Sequence, residues 1–124
     1  MDNSKTPNQS REIQRTGLVR SAIATYSPSG QESNIARLIH DELASKGFTP
    51  RIDSAGNVVC EHGEGDASIL LCGHMDTVPG ELEVKLETGV IFGRGACDAK
   101  GALLSLLFAF EDLAATKIGM RLVF

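Results

Sequence analysis

The sequence contains no tryptophan, a single tyrosine and only three cysteines among its 124 residues. The cysteines stand at positions 60, 72 and 97, so they form no C-x-x-C pair of the kind that builds thiolate zinc sites. An odd number of scattered cysteines is typical of free thiols in a reducing compartment. These absences exclude a disulfide-stapled scaffold and predict a cytoplasmic protein.

Long apolar runs and an excess of positive charge are missing as well. The longest apolar stretch, residues 102–110, spans 9 residues, whereas a membrane helix needs about 20. The polar N-terminus does not have the apolar centre of a signal peptide. The net charge is -4, which argues against general electrostatic binding to nucleic acid. We therefore expect a soluble protein that binds neither a membrane nor nucleic acid.

What remains is the composition of an ordinary globular domain, with 42% hydrophobic and 23% charged residues. Residues 1–10 are polar and predicted to be disordered. Apolar periodicity predicts helices over 11–26, from about 30 to 46, and over 99–116; it predicts strands over 48–53, 57–61, 68–72, 83–87, 90–92 and 119–124. Strands that alternate with helices predict an α/β fold with a mixed, partly parallel sheet.

Three local patterns add detail to this outline. Ser29 and Glu32 fit a capping box at the start of the second helix. The apolar run over 68–72 predicts a strand buried on both faces. The apolar strand from residue 119 onwards leads us to expect the N-terminal piece of a longer protein, the alternative being a small domain that ends at Phe124. A truncated sheet would expose an unpaired apolar edge at residues 120–124.

The first candidate site is the segment GHMDTVP, residues 73–79, which directly follows a predicted strand and is called the first motif below. Imidazole is a common zinc ligand, which makes His74 a candidate. Asp76 could accept the other ring N–H of His74 and thereby fix its tautomer. The alternative is a structural or surface histidine, because His-x-Asp alone is a weak signal.

The second candidate site is GRGACDAKG, residues 93–101, called the second motif. Its glycines allow close backbone approach, but neither nucleotide-binding glycine pattern is present. Asp98 precedes an apolar helix, so an N-cap is the alternative to a role in chemistry and is favoured by periodicity alone. Arg94 and Lys100 are expected to serve in loop packing and as surface charge.

Together the two motifs resemble the N-terminal signatures of the zinc-dependent aminoacylase and exopeptidase family, which includes acetylornithine deacetylase, succinyl-diaminopimelate desuccinylase and carboxypeptidase G-type enzymes. The segments SPSGQE (27–32) and DSAGNVV (53–59) also match the family's usual order. The resemblance covers about residues 11–124. It implies the N-terminal portion of a catalytic domain with an α/β/α sandwich fold, lacking the dimerisation domain and the C-terminal half.

The resemblance implies a role for three residues. His74 would bind one metal ion, Asp98 would bridge two, and Asp76 would support catalysis by orienting the His74 ring. It further implies two Zn²⁺ per full-length subunit, with Co²⁺ as a possible substitute. A shared anionic ligand agrees with the physics, because two nearby cations repel each other.

The spacing of the motifs points to a subfamily. Only 13 residues, 80–92, separate them, and this compact form is similar to hydrolases that release lysine or ornithine from an amino-group carrier protein in lysine and arginine biosynthesis. A homodimeric parent enzyme is implied. The alternatives are a general N-acyl-amino-acid deacylase or dipeptidase of the same family, and an inactive truncated module.

The family's glutamate pair, a later acidic ligand and a C-terminal histidine ligand have no counterpart in this sequence. The resemblance implies that this pair supplies the general base. Glu111 and Asp112 cannot replace it, because they lie within a predicted helix. We therefore expect the 124-residue chain alone to be inactive and to bind zinc weakly.

Overall fold

The structure is a computed structural model, and it describes residues 5–124. These residues form helices α1 (Pro7–Ala24), α2 (Ser33–Ser45) and α3 (Gly101–Leu113), and strands β1 (Arg51–Ile52), β2 (Val58–His62), β3 (Glu64–Cys72), β4 (Lys85–Glu87), β5 (Val90–Phe92) and β6 (Ile118–Val123). An irregular turn over Ala96–Lys100 precedes α3, and a 3-10 turn over Ala114–Thr116 follows it. The predicted α/β class is confirmed.

The larger of the two described sheets has the strand order β1-β2-β6-β3. Strand β6 runs antiparallel to β2 and parallel to β3, so that Leu122 stands between Cys60 and Leu71. The predicted mixed sheet is therefore confirmed. The expected unpaired edge at residues 120–124 is wrong, because β6 has a partner on both sides and β3 lies at the edge instead.

One face of this sheet and the three described helices share a single core. Its fully buried members include Ile39 and Leu43 of α2, Leu107 and Phe110 of α3, and Leu122 of β6. The opposite face is mixed: Arg121 forms an ion pair with Glu61 and also lies beside the apolar Leu70. The difference between the faces follows from the period of two along a strand, which sends successive side chains to opposite faces.

Strand β3 is not buried on both faces, contrary to the sequence-based expectation. Leu70 is 63% exposed, while Ile69 and Leu71 pack against the core. The reason is the position of β3 at the edge of the described sheet, with the helices packing on one face. A continuous apolar run cannot by itself distinguish this arrangement from a doubly covered strand.

Helix α1 begins before the residue at which the sequence pattern places its start. Thr6 accepts a hydrogen bond from the backbone of Gln9, whose side chain in turn accepts from the Thr6 backbone, and Pro7 occupies the first helical turn. This is a complete capping box. Residues 7–10 are therefore helical, which corrects the expected disorder for this stretch; residues 1–4 lie outside the described residues.

Helix α2 ends as predicted but starts differently. Gly47 has φ +88°, and its backbone N–H donates to the Ala44 carbonyl, which gives the left-handed stop expected there. At the other end the N-cap is Glu32, and the predicted Ser29–Glu32 capping box is wrong. The Glu32 carboxylate instead accepts from the Gly30 backbone N–H at 2.7 Å, and Ser29 has another partner.

The predicted hairpin is present as β4 and β5, which pair antiparallel. Thr88 and Gly89 form its two-residue turn with φ +46° and +80°, the positive values that match the twist of the flanking strands. The first strand is shorter than predicted, since it begins at Lys85.

Two arginines of α1, Arg11 and Arg15, donate to Asp112 of α3. The Arg15 guanidinium lies 4.6 Å from the centre of the Phe108 ring and donates to Asp112 Oδ1 at 2.6 Å. Asp112 holds the pKa of Arg15 above its ordinary value, although burial opposes this, and Arg15 lowers the pKa of Asp112.

None of the helices over residues 5–124 combines the length and apolar character needed to cross a membrane.

Candidate functional site

The two motifs meet at one end of the larger sheet. The first motif leaves β3 at Cys72, and the second runs into the turn that precedes α3. This brings His74 Nε2 to 3.1 Å from Asp98 Oδ1, although the residues are 24 positions apart. The expected approach to about 4 Å or less is confirmed, while the metal-binding roles of the two residues stay predictions.

Asp76 holds the other side of the His74 ring. Its Oδ1 lies 2.9 Å from His74 Nδ1, so the Nδ1–H donates to the carboxylate. The predicted contact is confirmed; the catalytic role of Asp76 stays a prediction. Partial burial acts to lower the pKa of His74, but the hydrogen bond and charge of Asp76, with the hydrogen bond to Asp98, outweigh it and raise the pKa.

Sequence reasoning missed Ser29, which lies next to this pair. The Ser29 hydroxyl donates to Asp76 Oδ2 at 2.5 Å. This hydrogen bond is the main reason why the pKa of Asp76 lies below its ordinary value, ahead of the contribution of His74. Four side chains are thus linked in the order Ser29, Asp76, His74, Asp98.

The backbone around Ser29 runs beside the first motif. The Thr77 N–H donates to the Ser27 carbonyl and the Ser27 hydroxyl donates to the Met75 carbonyl, both at 2.9 Å. Pro28 and Thr77 form an isolated parallel bridge. The sequence signal for this segment is limited to Ser27, because a residue before proline favours an extended backbone.

Asp98 does not cap α3. The helix begins at Gly101 with Lys100 at its N-cap, and the backbone of Asp98 is extended at φ −126° and ψ 97°. The Asp98 side chain is 87% exposed. The structure therefore decides against the N-cap alternative and leaves the carboxylate directed at His74, available to a ligand from solvent.

Lys100 is not a surface charge, which corrects one part of the expectation for it. Its side chain is 1% exposed, and its ammonium group donates to the Thr25 carbonyl at the end of α1. Burial lowers the pKa of Lys100. The other part of the expectation, loop packing, is confirmed, and it also holds for Arg94, whose Nε donates to the Gly80 carbonyl at 2.6 Å.

The chemistry of the donor set fits a divalent metal ion. With Nδ1–H donating to Asp76, a neutral His74 ring directs its Nε2 lone pair at a carboxylate that can only accept. Two acceptors 3.1 Å apart require a cation or a proton between them or beside them. Within residues 5–124 no group of three or more His, Cys, Asp or Glu side chains is arranged to hold a metal ion.

Two clefts adjoin the pair. One of about 530 Å³ is lined by His74 and Asp76 together with Gly30, Ser33 and Phe124. Another of about 840 Å³ is lined by Asp98 and by apolar residues of the β4–β5 hairpin. His74 and Asp98 are therefore each reachable from solvent through a cleft.

A family model matches this part of the chain. Residues 70–124, which contain both motifs, match the model described as Peptidase family M20/M25/M40. The chain is 42% identical over 109 residues to the [LysW]-lysine hydrolase of Deinococcus radiodurans, covering 87% of this chain and 30% of the relative. It is 46% identical over 97 residues to a putative [LysW]-lysine/[LysW]-ornithine hydrolase of Pyrobaculum aerophilum, covering 77% of this chain and 28% of the relative.

A solved structure shares the fold. The YXEP protein of Bacillus subtilis, described as a dinuclear metal binding peptidase from the M20 family, superposes with a TM-score of 0.68 at 15% identity. The likeness covers 93% of this chain and 35% of that chain. The present chain thus spans about a third or less of the length of the proteins it matches.

Proposed function

Since this chain belongs to peptidase family M20/M25/M40, we propose that its protein is a metal-dependent amide hydrolase that releases lysine or ornithine from a carrier protein. The observation that carries the proposal is the pairing of His74 Nε2 with Asp98 Oδ1 at 3.1 Å, next to a carboxylate that fixes the ring. The relatives named [LysW]-lysine hydrolase and [LysW]-lysine/[LysW]-ornithine hydrolase support the substrate class.

His74 would hold one metal ion and Asp98 would be shared by two, which we propose to be Zn²⁺, with Co²⁺ as a substitute. When bound, the metal would polarise the amide carbonyl and lower the pKa of an attacking water. Asp98 suits a bridging position because its side chain is 87% exposed and a carboxylate offers two oxygens.

Asp76 would act on the ring and not on the metal. By accepting from Nδ1–H at 2.9 Å, it keeps that nitrogen protonated and leaves Nε2 as the donor atom. A carboxylate in this position also raises the basicity of the imidazole. We propose Asp76 as the supporting residue of the catalytic centre.

Zinc sites have at least three protein ligands, and catalytic ones also need a proton acceptor. His74 and Asp98 supply two of these groups. The relatives are about three times as long as this chain, and we propose that the remaining ligands and the general base belong to a region corresponding to the rest of their length. The proposal also includes a cytoplasmic homodimer that works in lysine or arginine biosynthesis.

Calorimetric titration of Zn²⁺ and Co²⁺ tests the metal assignment. His74→Gln and Asp98→Asn should each weaken binding at least tenfold. His40→Gln is the matched control, because His40 also contacts an aspartate, Asp41, but lies on α2 outside the site. Equal affinities in all variants would refute the assignment.

A substrate panel tests the reaction. The protein would be assayed with a carrier-linked lysine, a carrier-linked ornithine, an N-acyl amino acid and a dipeptide, each joined through an amide bond. We expect release of lysine or ornithine from the carrier to exceed hydrolysis of the other two, and to stop on metal removal. Preference for the N-acyl amino acid or the dipeptide would favour the broader deacylase or dipeptidase function.

A further inference from the structure

The segment Ser27–Pro28–Ser29 contacts the first motif at three consecutive points. The Ser27 hydroxyl donates to Met75, the Ser27 carbonyl accepts from Thr77, and the Ser29 hydroxyl donates to Asp76. We call these three residues the serine brace. Two of its contacts involve the backbone of the first motif, and only the contact of Ser29 reaches a side chain of the site.

Burial differs along the brace. Ser27 is fully buried, which suits a structural hydrogen bond to a backbone carbonyl. Ser29 is exposed, and its hydroxyl lies 2.5 Å from Asp76 Oδ2 on the side of the carboxylate away from the ring. A hydrogen bond at an exposed position adds little to the stability of a fold, so the contact of Ser29 calls for a different explanation.

A carboxylate can rotate about its terminal torsion, because such torsions are broad. The contact of one oxygen, Oδ2, with Ser29 fixes the plane of the Asp76 carboxylate and directs the other oxygen, Oδ1, at His74 Nδ1. The ring is then fixed by Asp76, and its second nitrogen faces Asp98. Each contact in this series restricts the next.

We propose that Ser29 is a positioning residue, which acts through Asp76 to hold the His74 ring in the orientation and tautomer that leave Nε2 available to a metal ion. This inference rests on the proposed function of His74 as a ligand. It assigns Ser29 no contact with substrate or metal.

The test compares three variants of the natively expressed protein. Ser29→Ala removes the hydroxyl, and Ser29→Thr keeps it at an exposed position. Ser33→Ala is the matched control, because Ser33 is also exposed and lines the same cleft beside His74. The measurements are the Zn²⁺ affinity by calorimetry, the melting temperature, and the populations of the two His74 ring tautomers from ¹⁵N NMR of histidine-labelled, metal-free protein. The NMR comparison is made in an Asp98→Ala background, which removes the competing acceptor at Nε2.

We expect Ser29→Ala to weaken Zn²⁺ binding about tenfold. This is the lower end of the loss in metal affinity seen when a residue that orients a ligand, without itself touching the metal, is replaced. The Nε2–H tautomer of His74 should become several times more populated, because Asp76 then holds Nδ1–H less firmly. Ser29→Thr and Ser33→Ala should retain the wild-type affinity and tautomer. Ser29→Ala with unchanged affinity and tautomer, or Ser29→Thr as impaired as Ser29→Ala, would overturn the proposal.

A double-variant cycle tests whether Ser29 acts through Asp76. In an Asp76→Ala background the Ser29→Ala substitution should have no further effect, since its partner is gone. An equal loss in both backgrounds would contradict the proposal. The His74→Gln variant separates this inference from the proposed function: if His74→Gln binds Zn²⁺ as the wild type does, the function fails, whereas if only Ser29→Ala does so, only the positioning role fails.

Discussion

Replacement of Gly95 by alanine should destabilise the packing of the first motif against the second. Gly95 has φ +80°, and a Cβ at this position would lie 2.7 Å from Thr77 Cγ2 and 3.2 Å from Lys100 Cδ. The left-handed backbone costs a non-glycine residue about 1–2 kcal/mol, and overpacking of this kind costs about 1–3 kcal/mol. We therefore expect Gly95→Ala to lower the free energy of unfolding by about 2–5 kcal/mol in urea titrations.

Gly89 provides the matched control. It has the same φ of +80°, but nothing lies within 4 Å of its added Cβ, so Gly89→Ala should cost only the backbone contribution of about 1–2 kcal/mol. Thr77→Ser removes the opposing methyl group while keeping the hydroxyl that donates to the Val78 carbonyl. It should therefore recover part of the loss in a Gly95→Ala background. Equal destabilisation by Gly95→Ala and Gly89→Ala would refute the reasoning that the motifs pack tightly at Gly95.

Three further predictions concern stability and catalysis. The folded-state pKa of Asp112 lies below its unfolded value. Its ion pair with Arg15 should therefore stabilise the fold fully above about pH 4, and this stability should be lost as the pH falls through the folded-state pKa. An ion pair that is partly exposed contributes up to about 1 kcal/mol. The difference in unfolding free energy between wild type and Asp112→Asn should therefore shrink in acid. Leu107→Ala, at a fully buried position, should lower the free energy of unfolding by about 2–5 kcal/mol in denaturant titrations. Leu82→Ala, at a position that is 54% exposed, should lower it by about 0.5 kcal/mol or less. Equal losses in the two variants would contradict the described core. Asp76→Asn should still bind metal by calorimetry, with an affinity reduced at least as much as in Ser29→Ala, but it should lose most amide-hydrolysing activity; wild-type turnover in this variant would count against its role.

Much of the fold follows from local patterns that need no partner. The helical period and Gly47 predict most of α2, and Thr88–Gly89 predicts the hairpin, because turn chemistry is decided within a few residues. The edge position of β3 could not be predicted in this way. Its apolar run is compatible with one or two covered faces, and the order of strands decides between them.

For the site, too, local patterns predict some residues and miss the contacts between residues far apart in the sequence. The resemblance carried by the two motifs predicts the pairing of His74 with Asp98, whereas periodicity alone favours an N-cap at Asp98. The sequence pattern places Ser29 in a local cap because Glu32 stands three residues later, yet its hydroxyl contacts Asp76, which is 47 positions away. The burial of Lys100 was missed for a similar reason: the Thr25 carbonyl that receives its ammonium group lies 75 positions away.

The middle position of β6 has a consequence for the order of events during synthesis. Among the described strands β6 leaves the ribosome last, yet it separates β2 from β3, with Val123 beside Val59 and Leu122 beside Leu71. Before β6 emerges, the β1–β2 hairpin can form but β3 has no neighbour in the sheet. Such distant pairings are slow to form and leave strand edges open to other chains. The nascent chain therefore exposes the facing edges of β2 and β3 until β6 inserts between them.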